Sequence, residues 1–139
     1  FLNRRCLILA DGFYEWKTEY RTKQPYRIHL KNNMPFAFAG IWEKSQADNS
    51  EAPQPNKFAI ITTAAVYSIS HIHNRMPFIL KPGDYENWLN GDGLEVIKKS
   101  STYSDMDLNF YKVPPEVGNI NNDSRELIKE YDPPQLALF

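Results

Sequence analysis

Three groups of residues carry side chains of the kind that do chemistry. The first is Glu15, set between Tyr14 and Trp16 in the aromatic run Phe13-Tyr14-Glu15-Trp16-Lys17. Carboxylates are seldom buried without a partner. Facing inward, Glu15 would lose water, its pKa would rise, and it would suit general acid or base work. Facing outward, it is one more surface glutamate, and alternation along a strand leaves both orientations open. The second group is His71-Ile72-His73-Asn74-Arg75-Met76-Pro77. Two histidines at i and i+2 on a strand share a face, and such pairs bind zinc when further ligands join them. His29 and Cys6 stand at no recognisable metal-ligand spacing, so no metal is expected. A more economical reading gives one histidine a proton-transfer role and Arg75 an anion-binding role, with a structural histidine as the alternative. The third group is the terminal pentapeptide Gln135-Leu136-Ala137-Leu138-Phe139, set off by Asp132-Pro133-Pro134. It is either a tail that packs back on its own domain or a short linear peptide whose apolar side chains enter pockets on a partner. Cys6, among Leu7, Ile8 and Leu9, reads as a buried structural thiol rather than a nucleophile.

The elements that must position these groups are mostly strands. Cys6–Ala10 is a continuous apolar run, expected to be a strand buried on both faces, and Asp11-Gly12 a turn. Phe13–Lys17 follows as a strand, Thr18–Gln24 as a polar connection, and Pro25–Leu30 as a half-exposed partner strand. Phe36–Trp42 and Phe58–Ala65 read as buried strands separated by a surface loop over residues 44–57, and Met76–Leu80 as a short one. Pro82-Gly83-Asp84 opens a short helix ending near Gly91, and Leu94–Lys99 is a weaker helical segment. Leu108–Val113 alternates as a strand does, and Asp123-Ser124 is placed to cap a helix from Arg125 to Tyr131. Strands dominate and helices are few, so the expected class is α+β: a mixed, mainly antiparallel sheet or barrel-like core with short peripheral helices.

The chain has 139 residues, 42% of them hydrophobic and 24% charged, which fits one soluble domain and excludes a disordered or collagen-like chain. No apolar run approaches the ~20 residues of a membrane-spanning helix, so no membrane partner is expected. One cysteine makes no internal disulfide and favours a reducing compartment. Net charge is −1 but unevenly spread: +4 over residues 1–34 (seven basic, three acidic), +1 over 35–83 (four and three) and −6 over 84–139 (five and eleven). A basic first third is able to face phosphates; equally, both ends are solvated surface. The first residue is Phe1, so the chain is expected to be a fragment or a processed form.

Taken together, these segments resemble the SRAP family, the SOS response-associated peptidase-like proteins that sense abasic sites in single-stranded DNA. The resemblance rests on Arg4-Arg5-Cys6-Leu7-Ile8 running into Ala10-Asp11-Gly12-Phe13-Tyr14-Glu15-Trp16, then on Gln24-Pro25-Tyr26 and Ala39-Gly40-Ile41-Trp42-Glu43. Ile60-Ile61-Thr62-Thr63-Ala64-Ala65, Ile72-His73-Asn74-Arg75-Met76-Pro77 and Val117-Gly118-Asn119 complete it. An SRAP domain over residues 1–131 and a separate tail peptide over 132–139 are expected.

The resemblance implies a chemistry. Family members expose a cysteine as first residue, and its amine and thiol condense with the ring-opened aldehyde of an abasic deoxyribose to give a thiazolidine crosslink. Lyase and self-peptidase chemistry accompany it. The family's glutamate falls on Glu15, handling the protons of the amine, and its histidine on His73, assisting ring opening and Schiff-base formation. Arg75 would hold a phosphate beside the lesion with Asn74 next to it, Arg4 and Arg5 would extend the basic track, and Trp16 and Thr62 would shape the pocket. No cofactor is implied, and the setting would be the cytoplasm, in association with the nucleoid. The N-terminal cysteine and the upstream asparagine-alanine-arginine segment of the family are absent from this sequence. The chain is therefore expected to be a C-terminal portion of the domain, unable to crosslink unless that segment is supplied. The other readings are a non-catalytic module binding single-stranded DNA and a zinc hydrolase built on His71 and His73. Finally, the tail resembles the Gln-Leu-x-Leu-Phe peptide with which bacterial replication proteins grip the β sliding clamp, which makes Gln135, Leu136, Leu138 and Phe139 its expected clamp contacts.

Overall fold

The computed structural model describes residues 3–19, 21–45, 55–99, 103–104 and 107–132. Strands β1 (Arg5–Ala10), β2 (Phe13–Glu19), β3 (Thr22–Leu30), β4 (Phe36–Glu43), β5 (Lys57–Ile60) and β6 (Thr62–Ala64) come first. Helix α1 (Tyr67–Ser70), strands β7 (Arg75–Pro77) and β8 (Ile79–Leu80), helices α2 (Tyr85–Asn90) and α3 (Gly93–Lys99), and strand β9 (Leu108–Lys112) follow.

Every pairing is antiparallel, as expected of strands joined by short turns. One sheet runs β1-β4-β5 with β8 also on β4, a second runs β2-β3-β9, and β6 pairs β7. The mixed α+β class therefore holds, but the barrel form of the expectation does not. Among the described residues each sheet ends in strands bonded on one side only, so none closes on itself.

Position in the sheet decides burial more than local composition does. β3 lies between β2 and β9, and Pro25, Tyr26, Ile28, His29 and Leu30 are buried, where a half-exposed strand was expected. β1, expected to be buried on both faces, is an edge strand instead, with Leu9 77% exposed. Its apolar run still feeds both sides: Leu7 packs on the cluster of Ala39, Phe78, Leu80, Trp88 and Val96, which seats α2 and α3, while Ile8 and Ala10 join the larger core around Phe13, Ile28, Phe36 and Phe38.

Two expected strands each divide in two. Phe58–Ala65 splits at Ile61, whose N–H bonds Ala39 O (2.9 Å) and whose carbonyl accepts from Phe78 N (2.8 Å). Met76–Leu80 splits at Phe78, whose carbonyl accepts from Ala39 N (2.9 Å). At these two residues the chain passes between sheets, and β5 emerges as an exposed edge with Phe58 64% exposed rather than as a buried strand. The expected last helix is a single 3₁₀ turn at Arg125–Ile128, and Ser124 makes no side-chain cap.

Candidate active-site cleft

Glu15 stands on β2 two residues after Phe13, so alternation turns both toward the same side, where Phe13 enters the core. The inward orientation is the one realised, with 22% of the Glu15 side chain exposed. Desolvation pushes its pKa up, and the imidazole of His73 pulls it back in part. His73 Nδ1 lies 3.7 Å from Glu15 Oε2, in ion-pair range but longer than a direct hydrogen bond.

α1, which the sequence did not announce, sets His73. Its Ile69 and the following Ile72 are buried, and the N–H groups of Ile72 and His73 bond back to Ile69 O at 2.9 and 3.2 Å. Nδ1 of His73 is 2.9 Å from the carbonyl oxygen of Arg75 and 3.2 Å from its N–H. One tautomer donates to the first and the other accepts from the second. Both contacts hold the ring in the same place.

Arg75 opens β7 and is exposed. Its Nη2 donates to both the carbonyl and the hydroxyl oxygen of Thr62, each at 2.7 Å, because the β6–β7 register pairs Thr62 with Pro77 and Ala64 with Arg75. Thr62 thus holds the guanidinium. Asn74 is exposed beside Arg75, its carbonyl accepting from Ala65 N at 3.0 Å.

Glu15, Trp16, Thr18, Lys23, His73 and Gly118 line an open cleft of about 510 Å³. Thr18 and Lys23 are not among the expected site residues, since the sequence presents Thr18–Gln24 as a polar connection. In fact β2 runs on to Glu19 and β3 begins at Thr22, opposite it, which places Lys23 opposite Thr18. Gly118 belonged to a quoted motif but had no assigned role.

The other expected residues lie elsewhere. Arg4 is exposed over the Trp42 ring at 5.9 Å. Arg5 Nε donates to Trp88 O, and its Nη2 to Gly91 O at 2.7 Å, so its charge sits at the C-terminal end of α2. Neither lines the cleft. His71 is exposed with its ring 5.4 Å from that of Phe110, and residues 71–73 form a turn after α1, not a strand, which removes the premise of a shared histidine face. Among the described residues no group of three or more His, Cys, Asp or Glu side chains is placed to hold a metal ion. Burial pushes the Cys6 thiol up, and it lines a separate groove with Ile8, Trp42 and Phe58. Gln135, Leu136, Leu138 and Phe139 lie outside the described residues. No helix among the described residues is long and apolar enough to cross a membrane.

A family model described as SOS response associated peptidase (SRAP) matches residues 1–120. The chain is 37% identical over 137 residues to abasic site processing protein YoqW of Bacillus subtilis (strain 168), covering 94% of this chain and 59% of that protein. It is 31% identical over 129 residues to abasic site processing protein YedK of Escherichia coli (strain K12), covering 90% and 57%. The chain thus spans little more than half the length of these relatives. A crystal structure of a Bacteroides thetaiotaomicron protein superposes with a TM-score of 0.77 at 26% identity, over 94% of this chain and 58% of that one.

Proposed function

The chain belongs to the SRAP family, and from that premise we propose that its Glu15–His73 cleft carries the acid–base chemistry of abasic-site processing in single-stranded DNA. The observation that carries this reading is a half-desolvated carboxylate, its pKa raised, 3.7 Å from an imidazole in an open cleft beside an exposed arginine.

In the crosslinking reaction the amine of an N-terminal cysteine attacks the aldehyde carbon of the opened sugar. A C–N bond forms, the carbonyl oxygen takes up the two protons the amine gives up and leaves as water, and the thiol adds across the resulting C=N bond, its proton passing to nitrogen, to close a thiazolidine. Each step moves protons and none needs an oxidant or reductant. Glu15, with a raised pKa, takes each proton from the amine in turn and returns it to the departing oxygen. His73 relays protons during ring opening, with Arg75 holding a neighbouring phosphate and Asn74 beside it. Cys6, in its separate groove, is not the nucleophile. The lyase and self-cleaving activities draw on the same pair.

Arg4 extends the contact with the strand from the β1 side. The tail from residue 132 is a sliding-clamp peptide that holds the protein at replicating DNA at high local concentration, in the cytoplasm at the nucleoid. A peptide of residues 132–139 that fails to bind the clamp at tens of micromolar removes that assignment.

The test is intact mass after incubation with a single-stranded abasic oligonucleotide, with and without borohydride, for this chain and for a version preceded by a segment bearing the N-terminal cysteine. The extended protein is expected to gain the mass of the DNA, and Glu15→Gln in it to lose most of that gain. An extended protein that never reacts leaves the alternative, a module that binds single-stranded DNA without chemistry.

A further inference from the structure

The tip of the β2–β3 hairpin carries three lysines or arginines, Lys17, Arg21 and Lys23, and one acidic residue, Glu19. Their partners differ. Lys17 Nζ sits 3.1 Å from Glu19 Oε1, so that pair is neutral. Thr18 and Lys23 are directly opposite one another in the register. The single carboxylate of the tip is thus paired with Lys17. Among the described residues Lys23 has no hydrogen-bond or ion partner, and it is one of the residues that line the cleft of Glu15 and His73.

The backbone beneath Lys23 is held firmly. The hairpin closes with Glu19 opposite Thr22, and Thr22 Oγ1 donates to Glu19 O at 3.0 Å. Gln24 Nε2 donates to Pro25 O and to Val113 O, at 2.9 and 3.0 Å, and so ties the next residue to the end of β9. A cation on a fixed strand, uncompensated and lining an open cleft, is a binding group for an anion entering that cleft.

Arg75 supplies the second point. It lies on β7, a different element from Lys23, with Nη2 fixed by Thr62 and the residue exposed. We propose that Lys23 binds a backbone phosphate of the single strand on the side of the lesion away from Arg75. The strand then crosses the Glu15–His73 pair with one phosphate on each cation. This assignment rests on the proposed abasic-site function and adds to it the path of the DNA. A compact, freely rotating ammonium suits a backbone contact that must tolerate any base sequence.

The test is fluorescence anisotropy of the full chain with a labelled single-stranded oligonucleotide carrying a tetrahydrofuran abasic analogue, which cannot open to an aldehyde and so reports binding alone. Titrations run over a series of salt concentrations for the wild type, Lys23→Gln, Lys23→Arg and Arg75→Gln. Lys23→Gln is expected to bind about three- to tenfold more weakly at low salt, with a log–log salt slope shallower by about 0.7, the value for one single-strand phosphate. Lys23→Arg is expected to keep the wild-type affinity and slope. Lys23→Gln binding with wild-type affinity and slope, while Arg75→Gln weakens, overturns the Lys23 assignment and leaves the abasic-site reading standing. Weaker binding with an unchanged slope, or Lys23→Arg as weak as Lys23→Gln, overturns it too, because the contact is then not a phosphate charge pair. A wild type that shows no salt-dependent binding overturns both. Matching melting curves for wild type and Lys23→Gln exclude a folding defect.

Discussion

One nitrogen of Arg75, Nη2, donates to both oxygens that Thr62 offers, the backbone carbonyl and the side-chain hydroxyl, each at 2.7 Å. The two residues face each other diagonally across the β6–β7 pair, so the sheet register itself aims the guanidinium. An exposed arginine otherwise loses considerable side-chain freedom when it binds a phosphate, and this contact removes part of that cost in advance.

Thr62→Val keeps the shape and the carbonyl but removes the hydroxyl acceptor. It is expected to weaken binding to single-stranded DNA by about two- to fivefold, in the range of one net hydrogen bond. Thr62→Ser is expected to restore binding. Anisotropy titrations of the two variants check both, and equal affinities for valine and threonine would show that the contact does not prepare Arg75.

Glu15 links function to stability. Desolvation raises its pKa, so the folded chain holds the proton more tightly than the unfolded chain does. The sign follows: Glu15 favours folding below the ordinary glutamate range, and that contribution is lost as pH rises through its raised folded value. Glu15→Gln should therefore melt above the wild type at pH 8, and the difference should shrink as pH falls toward 4. Circular-dichroism melts across that range measure it, and a Glu15→Gln variant less stable at pH 8 contradicts the desolvated placement.

The same pKa shift shapes catalysis. As a base Glu15 must be ionised, so the acidic limb of crosslinking in the cysteine-bearing protein should lie above the ordinary glutamate range. Glu15→Gln and His73→Ala are each expected to slow crosslinking by about 10²–10⁴-fold, the usual contribution of a positioned acid or base. Gel-based rates against pH read both, and a wild-type rate in His73→Ala would remove the histidine from the mechanism.

Arg5 is expected to matter first for folding. Its guanidinium bonds Trp88 O and Gly91 O and lies 5.7 Å from the Trp88 ring centroid, joining β1 to the end of α2. Gly93 leaves room for it, since a Cβ there would stand 2.6 Å from Arg5 Cδ. Arg5→Ala should cost about 1–3 kcal/mol, and Arg5→Lys should recover only part because an ammonium lacks the planar fork. Chemical denaturation measures both.

Gly40 tests the packing of β1 on β4. A Cβ there would meet Ile8 Cδ1 at 2.6 Å and Cys6 Sγ at 2.8 Å. Gly40→Ala is expected to destabilise by about 1 kcal/mol, at the low end for overpacking because both contacts are side-chain ends able to turn aside. A neutral result in denaturant titration would mean that β1 shifts freely at its open edge.

Much of this protein was legible before any coordinates. Apolar runs located β1, β2, β4 and β9 within a residue or two, because a strand needs little beyond β-prone side chains between turn residues. Glu15, His73 and Arg75 stood out by type and setting, and the ordered motifs around them identified the family. What the chain could not declare along its length were relations between distant segments. Whether Glu15 faced in or out depended on which side of β2 received the core. β3 was buried because β9, some eighty residues later, covers its second edge, and β5 was exposed because nothing among the described residues covers its own. Lys23 came to line the cleft only once the hairpin register set it opposite Thr18, and the bonds of Arg5 go to Trp88 and Gly91 because α2 ends beside β1. Residue type and local pattern decide what a side chain is able to do. Burial, register and the pairing of opposite charges arise between segments, and only the folded chain settles which of those abilities is used.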